Sequence, residues 1–222
     1  MYKAADMDLW NGRIDDDSAA TSQRWHQCIR SLEEKGQESG IALLGVASDE
    51  GVKRNQGRIG AVAGPDAIRK TLANQAYHRQ CPLYDAGNLY CEQEQLESMQ
   101  QEQATLVSNL LDQGHFPLLL GGGHEIAYGS FLGLEQHLNP SSTDAPIGII
   151  NFDAHFDLRQ ADVPTSGTPF LQIAEYCHAK DISFHYCCLG LSEVSNTESL
   201  LTQADRLGVT YLRDEELNSW QL

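Results

Sequence analysis

The sequence predicts one α/β domain built on a parallel sheet with helices covering both faces. Three observations carry this reading. Short, unbroken apolar runs recur at 41–46, 116–120 and 147–152, and such runs are the pattern of strands buried on both sides. Stretches with apolar residues at helical spacing separate them, as connections between parallel strands require. A length of 222 residues allows one large core without a second domain.

The elements follow in order. Residues 1–40 are polar and weakly periodic, an N-terminal extension that Trp10 and Trp25 are expected to anchor. Residues 41–46 form the first buried strand. Pro65 stands at a helix start, where its missing N–H leaves no bond unmade. Residues 92–113 predict a long helix with Leu96, Met99, Leu106, Val107, Leu110 and Leu111 on one face, stopped by Gly114. Phe116–Leu120 is a second buried strand. The helix beyond His124 is expected to bury Ile126, Phe131, Leu134 and Leu138. Strands are expected at 147–152, 184–189 and 209–212. Ser195-Asn196-Thr197-Glu198 has the pattern of a capping box, opening a helix with Leu200, Leu201, Ala204 and Leu207 on its apolar face and Gly208 as its stop.

Composition narrows the function. Against 15 basic residues stand 31 acidic ones, a formal charge of −16, and such a surface repels phosphate backbones and anionic lipid. No apolar run approaches the length of a membrane span, and Met1-Tyr2-Lys3-Ala4-Ala5-Asp6-Met7-Asp8 lacks the apolar stretch of a secretion signal. The expectation is a cytoplasmic protein that binds neither nucleic acid nor membrane and takes a small molecule; a homo-oligomer is compatible with it. The cysteines, Cys28, Cys81, Cys91, Cys177, Cys187 and Cys188, contain no Cys-x-x-Cys pair and read as reduced, mostly buried thiols.

The chemistry sits beyond two of the apolar runs. Leu118-Leu119-Leu120 leads into Gly121-Gly122-Gly123-His124-Glu125, and the run ending at Phe152 leads into Asp153-Ala154-His155-Phe156-Asp157. Ligands of parallel α/β sheets bind beyond the carboxyl ends of strands. In extended chain Asp153, His155 and Asp157 would point to one side, and the glycines would let the backbone bring His124 close. Two imidazoles and two carboxylates suit manganese, iron or zinc better than calcium, and the lack of thiolate argues against a soft structural site. Alone, the first motif reads as a loop with a solvated histidine and the second as a polar turn. Together, each directly after a strand, they point to metal. Glu125, at a helix start, reads as a dipole-favoured cap.

These two motifs, with Arg58-Ile59-Gly60-Ala61-Val62-Ala63-Gly64-Pro65-Asp66-Ala67-Ile68-Arg69 upstream, resemble the ureohydrolase family of arginase, agmatinase and formimidoylglutamase. The resemblance spans about residues 40–222. It is strongest toward the formimidoylglutamase branch, through Gly123 where most relatives have Asp, Asp157-Leu158-Arg159 and Thr165-Ser166-Gly167-Thr168-Pro169-Phe170. It implies an arginase-like three-layer α/β/α fold and a hydrolase with two Mn2+ per active site. By this resemblance His124 and Asp157 bind one ion, His155 the other, and Asp153 bridges them. Two divalent ions about 3.5–4 Å apart share a water and lower its pKa; Asp153 and His155 would thus act in catalysis through a metal-bridging hydroxide. The implied reaction is hydrolysis of N-formimidoyl-L-glutamate to L-glutamate and formamide, in histidine degradation.

Arg159 bears on the substrate. An isolated arginine reads as a surface residue, but two positions beyond the last ligand its guanidinium suits a carboxylate, with Ser166, Gly167 and Thr168 as nearby donors. Arginases are expected to carry a proton-shuttling histidine where this chain has Phe170, which argues against arginase activity. His185 reads as a packed strand residue.

The resemblance also implies a later Ser-x-Asp-x-Asp-x-x-Asp-Pro motif, and no Asp-x-Asp follows Asp157. The expectation is a single domain over 1–222, incomplete at its C-terminal end, its last strands missing from the middle of the sheet and its second metal position weak. Alternatives are another ureohydrolase (an agmatinase or guanidino-acid hydrolase), which Arg159 disfavours because it repels a cationic substrate, and an inactive metal-binding fragment.

Overall fold

The computed structural model describes residues 1–15, 22–32, 37–78, 81–138 and 147–217. Its strands are β1 (Tyr2–Lys3), β2 (Ile29–Ser31), β3 (Ile41–Ala47), β4 (Leu83–Tyr90), β5 (Phe116–Leu120), β6 (Gly148–Phe152), β7 (His185–Leu191) and β8 (Thr210–Arg213). Its α-helices are α1 (Trp25–Cys28), α2 (Glu50–Arg54), α3 (Gly64–Ala73), α4 (Leu96–Asp112), α5 (Ile126–Leu138), α6 (Pro169–Lys180), α7 (Glu198–Arg206) and α8 (Asp214–Leu217). The strands form two ladders. One runs β1-β4-β3-β5 with β2 also on β4, and the other runs β6-β7-β8. All pairings are parallel except the short β1 on β4.

Strand β3 is buried along nearly its whole length, because β4 and β5 flank it and helices cover it. Strand β4 is not anticipated by apolar runs, since Asp85 and Asn88 interrupt it. Both are buried, and Arg69 of α3 satisfies them. Its Nε and Nη2 donate to the two Asp85 carboxylate oxygens at 2.8 Å each, and its Nη1 donates to Asn88 Oδ1 at 2.6 Å. Trp10 Nε1 adds a bond of 2.7 Å to Asp85, so the N-terminal extension is anchored through Trp10 as expected. Trp25 packs edge-on against Tyr77.

Strands β5 and β6 depart from expectation. Both read as buried strands, yet Phe116 is 65%, Leu118 38%, Ile150 67% and Phe152 80% exposed. Among the described residues β5 pairs only with β3 and β6 only with β7. Among the described residues the sheet is therefore divided between β5 and β6. The main apolar core lies under the second ladder, where Phe131, Phe156, Leu158, Phe170, Ile173 and Leu191 pack together.

Smaller corrections have local causes. Helix α4 starts at Leu96 rather than at residue 92, because Gln93 and Glu94 adopt positive φ in a turn. In α5, Leu138 is exposed, Ile126 and Leu134 are half-buried, and Gly129 and Gly133 are buried against α4. No capping box forms at residues 195–198. Thr197 is the N-cap of α7, its hydroxyl pairs with Ser199, and Asn196 is drawn inward. Helix α6, unannounced by the sequence reading, buries Phe170, Leu171, Ile173, Ala174 and Cys177. All six thiols are free; Cys177 and Cys188 are buried and the other four are partly exposed. No helix among the described residues is long and apolar enough to cross a membrane.

Candidate metal centre

Two loops build the centre, one from β5 and one from β6. After β5 the glycines press the chain against the end of β3. Gly122 N–H donates to Val46 O at 2.9 Å and Gly123 N–H to Ser48 O at 3.0 Å. A Cβ at Gly122 would lie 2.1 Å from Ser48 O, so only glycine permits this approach. The approach aims His124 at the second loop.

That loop is not extended chain, so alternation of side chains does not explain its geometry. β6 ends at Phe152, residues 153 and 154 bend, and Asp157 takes a left-handed φ of 48°. Aspartate tolerates this region better than most residues. Asp157 Oδ2 thereby comes 2.6 Å from His124 Nδ1, and Asp153 Oδ2 lies 3.2 Å from the same nitrogen. One donor atom from each of His124, Asp153 and Asp157 falls within 4.8 Å of the others. His155 stands outside this trio. Its ring is half exposed and its Nδ1 is 3.3 Å from Asp153 Oδ1, an oxygen that also accepts from the His155 backbone N–H at 3.0 Å. The two Asp153 oxygens thus face different histidines.

The electrostatics match a cation site. Burial disfavours a charged His124, but the hydrogen bonds and charges of Asp153 and Asp157 outweigh it and raise its pKa to about 9. Burial also works against the Asp153 carboxylate, and His124 with the His155 N–H more than compensates, holding its pKa below the usual value. In this form a proton on His124 occupies the space between two carboxylates. An imidazole nitrogen and carboxylate oxygens converging at that distance fit a divalent ion of borderline or hard character.

Residues invisible to motif reading hold the second loop in place. Asn196 Nδ2 donates to Ala154 O at 2.8 Å, and its Oδ1 accepts from Phe156 N–H at 3.3 Å. Tyr186 O–H donates to Phe156 O at 3.0 Å and accepts from Asn151 Nδ2 at 3.1 Å. Cys188 Sγ donates to the carbonyls of Asp153 and His155 at 3.5 Å, and burial pushes its pKa up to about 11. A tyrosine and a cysteine in a strand and an asparagine before a helix carry no signal of this role, because the contacts span 30 to 42 positions of sequence. Phe170, buried on α6, meets the His124 ring edge-on with centroids 5.4 Å apart and stacks on Tyr186 at 4.3 Å. An apolar wall therefore covers one side of His124.

The expected substrate residues divide. Arg159 is exposed, and its side chain has no hydrogen-bond or ion-pair partner among the described residues. Its stem lies over Gly167, where a Cβ would come 3.0 Å from Arg159 Cδ. Gly167 N–H, however, donates to Thr165 Oγ1 at 3.1 Å, and Thr168 Oγ1 is engaged with Thr165 and Gln172 inside a buried turn. Buried polar groups must be satisfied internally, so these two expected donors serve the turn. Ser166 N–H donates to Gly51 O at 3.0 Å, leaving its hydroxyl. Glu125 does not cap α5. It is fully buried, and its Oε1 accepts from Ser48 Oγ at 3.0 Å and Gly51 N–H at 3.1 Å. Burial raises its pKa.

The model of the Arginase family matches residues 39–222. A formimidoylglutamase of Chromobacterium violaceum is 50% identical over 98% of this chain and 69% of its own length, and one of Aeromonas salmonicida is 48% identical over 100% and 70%. The crystal structure of formimidoylglutamase from Bacillus subtilis superposes with a TM-score of 0.78 at 23% identity, covering 95% of this chain and 65% of that one. Trypanosoma cruzi formiminoglutamase with Mn2+ superposes at 0.72 with 25% identity, covering 81% and 62%. The chain thus spans about two thirds of the length of the relatives it matches. It belongs to the arginase family.

Proposed function

We propose that this protein is a manganese-dependent hydrolase of C–N bonds that converts N-formimidoyl-L-glutamate to L-glutamate and formamide. The observation that carries the reading is the convergence of His124, Asp153 and Asp157 within 4.8 Å, in a chain about half identical to formimidoylglutamases over nearly its whole length. His124, Asp153 and Asp157 would hold one ion, and His155 with the other oxygen of Asp153 would hold a second. Manganese supplies Lewis acidity there, making water a better nucleophile at neutral pH and stabilising negative charge.

The chain's own residues bind and orient. Arg159 offers a free guanidinium to a substrate carboxylate, and two parallel N–H···O bonds would fix that end. The Ser166 hydroxyl is the remaining donor of the adjacent turn. Phe170 and Tyr186 keep water from one side of His124, so attack comes from the open side. Water adds to the formimidoyl carbon, its bond to the glutamate nitrogen breaks, and that nitrogen takes up a proton. Phe170 has none to give, so the proton comes from water or another group.

The test is to incubate the chain with MnCl2 and N-formimidoyl-L-glutamate and follow both products. Equal release of glutamate and formamide is expected; release of urea from agmatine or arginine instead would overturn the reading. A second reading, a metal-binding module without turnover, draws on the count of three clustered donors among the described residues, against the about six ligands manganese takes. Metal bound without product would favour it.

A further inference from the structure

We propose that Glu125 is a positioning residue that sets the substrate turn at 164–168 against the metal ligands; this rests on the proposed function for its meaning but not for its test. Glu125 follows His124 directly, so whatever fixes its carboxylate fixes the ligand. Its Oε1 accepts two hydrogen bonds from the segment after β3, from Ser48 Oγ and Gly51 N–H. Its Oε2 is buried without a partner among the described residues. An unpaired buried oxygen is destabilising, and the other contacts of the same group offset that cost.

Two glycines make room for it. A Cβ at Gly123 would lie 1.9 Å from Glu125 Oε2, and a Cβ at Gly51 would lie 2.6 Å from the same oxygen. The carboxylate is thus clasped between two glycines, one on the ligand loop and one at the start of α2. From Gly51 the path continues outward. The Gly51 carbonyl accepts from Ser166 N–H at 3.0 Å, and the Gly167 carbonyl accepts from Arg159 N–H at 2.9 Å. Arg54, one turn further along α2, donates to Pro164 O at 3.1 Å and is itself held by Glu50 and Glu97. Gly51 therefore joins Glu125, on its N–H, to Ser166, on its carbonyl, and Arg54 adds a hold on Pro164. The position of the 164–168 turn, which meets Arg159 through Gly167, relative to His124 is set through this junction. A substrate held at both ends needs that spacing, since a misplacement of about 1 Å can cost about 100-fold in rate.

The experiment compares the manganese-loaded chain with its Glu125→Ala, Glu125→Gln and Ser48→Ala variants, by amide hydrogen exchange and by steady-state kinetics. In Glu125→Ala, exchange at Gly51 and Ser166 is expected to rise about tenfold while the strand amides of β3 stay protected. KM for N-formimidoyl-L-glutamate rises about tenfold, with bound manganese unchanged. Glu125→Gln, which keeps the Oε1 acceptor, returns both readouts to within about threefold of the parent. Should Glu125→Ala fail to fold, Ser48→Ala decides, with about a threefold rise confined to Gly51 and Ser166. Unchanged exchange at these amides, or a rise spread equally over the whole protein, overturns the proposal. A parent chain that turns over no substrate sinks the functional reading alone, because the exchange measurement still decides the role of Glu125.

Discussion

The Arg69–Asp85 pair inside the first ladder and the His124–Asp153–Asp157 group beyond β5 and β6 are both clusters of opposite charge, but they are completed differently. Arg69 and Asp85 are almost wholly buried, and every carboxylate oxygen has partners from Arg69, Gly87 or Trp10. In the second group two carboxylates share one imidazole, and all three side chains remain partly exposed. The first pair is closed, with Asp66 at its rim 3.7 Å from Arg69, and it ties the N-terminal extension, α3 and β4 together. The second has an open side, which is what a bound cation needs. Access, more than charge itself, separates a structural pair from a site.

The largest effect that would sharpen this contrast is on stability. Asp85→Ala leaves Arg69 buried without its partner and is expected to cost about 3–5 kcal/mol, read as a lowered urea midpoint. Asp153→Ala should leave the urea midpoint of the metal-free chain within about 1 kcal/mol, because its ion pair is partly solvated. It should weaken manganese binding by at least about 100-fold, more than loss of a supporting residue does. If Asp153→Ala unfolds the chain as Asp85→Ala does, the distinction between the clusters fails.

The second effect is a pH dependence of the open cluster. The pKa of His124 is raised to about 9 from an ordinary 6.5. Its contribution to the stability of the metal-free chain is therefore fully present below pH 6.5 and is lost as pH rises through about 9. Metal needs the neutral ring, so binding should release a proton at pH 7 and tighten as pH climbs toward that value. Calorimetry in buffers of different ionisation enthalpy measures the released proton; none at pH 7 would contradict the cluster's assigned charge.

Smaller effects lie at Arg159. Arg159→Ala should raise KM for the carboxylate-bearing substrate about tenfold or more by removing charge-assisted bonds, with no change in urea midpoint. Gly167→Ala, which crowds the Arg159 stem, should raise KM by only about two- to threefold.

How much is legible without the fold depends on how far apart the partners lie. The ligands can be read because they sit in short local motifs directly after apolar runs, and β3 because its neighbours on both sides make it uniformly apolar. Strand β4 is hidden by Asp85 and Asn88, whose burial makes sense only once Arg69, 16 and 19 positions upstream, folds onto them. Helix α6 is hidden because it is buried on more than one side and lacks a clear polar stripe. The capping box at 195–198 misleads because Asn196 instead reaches back to the loop at 154–156.

The sequence by itself determined the chemistry on offer: imidazole and carboxylate donors at two strand ends, an arginine beside them, a phenylalanine where a proton carrier is expected, and membership of a family. Only the tertiary structure decided how these donors are shared. It turned His155 outward beside one oxygen of Asp153, spent Gly167 and Thr168 on their own turn, and sent Glu125 to Gly51 instead of the helix end. The reason is physical. Residue type and local spacing specify which bonds a side chain can make, whereas burial and the approach of distant backbone decide which of those bonds it must make.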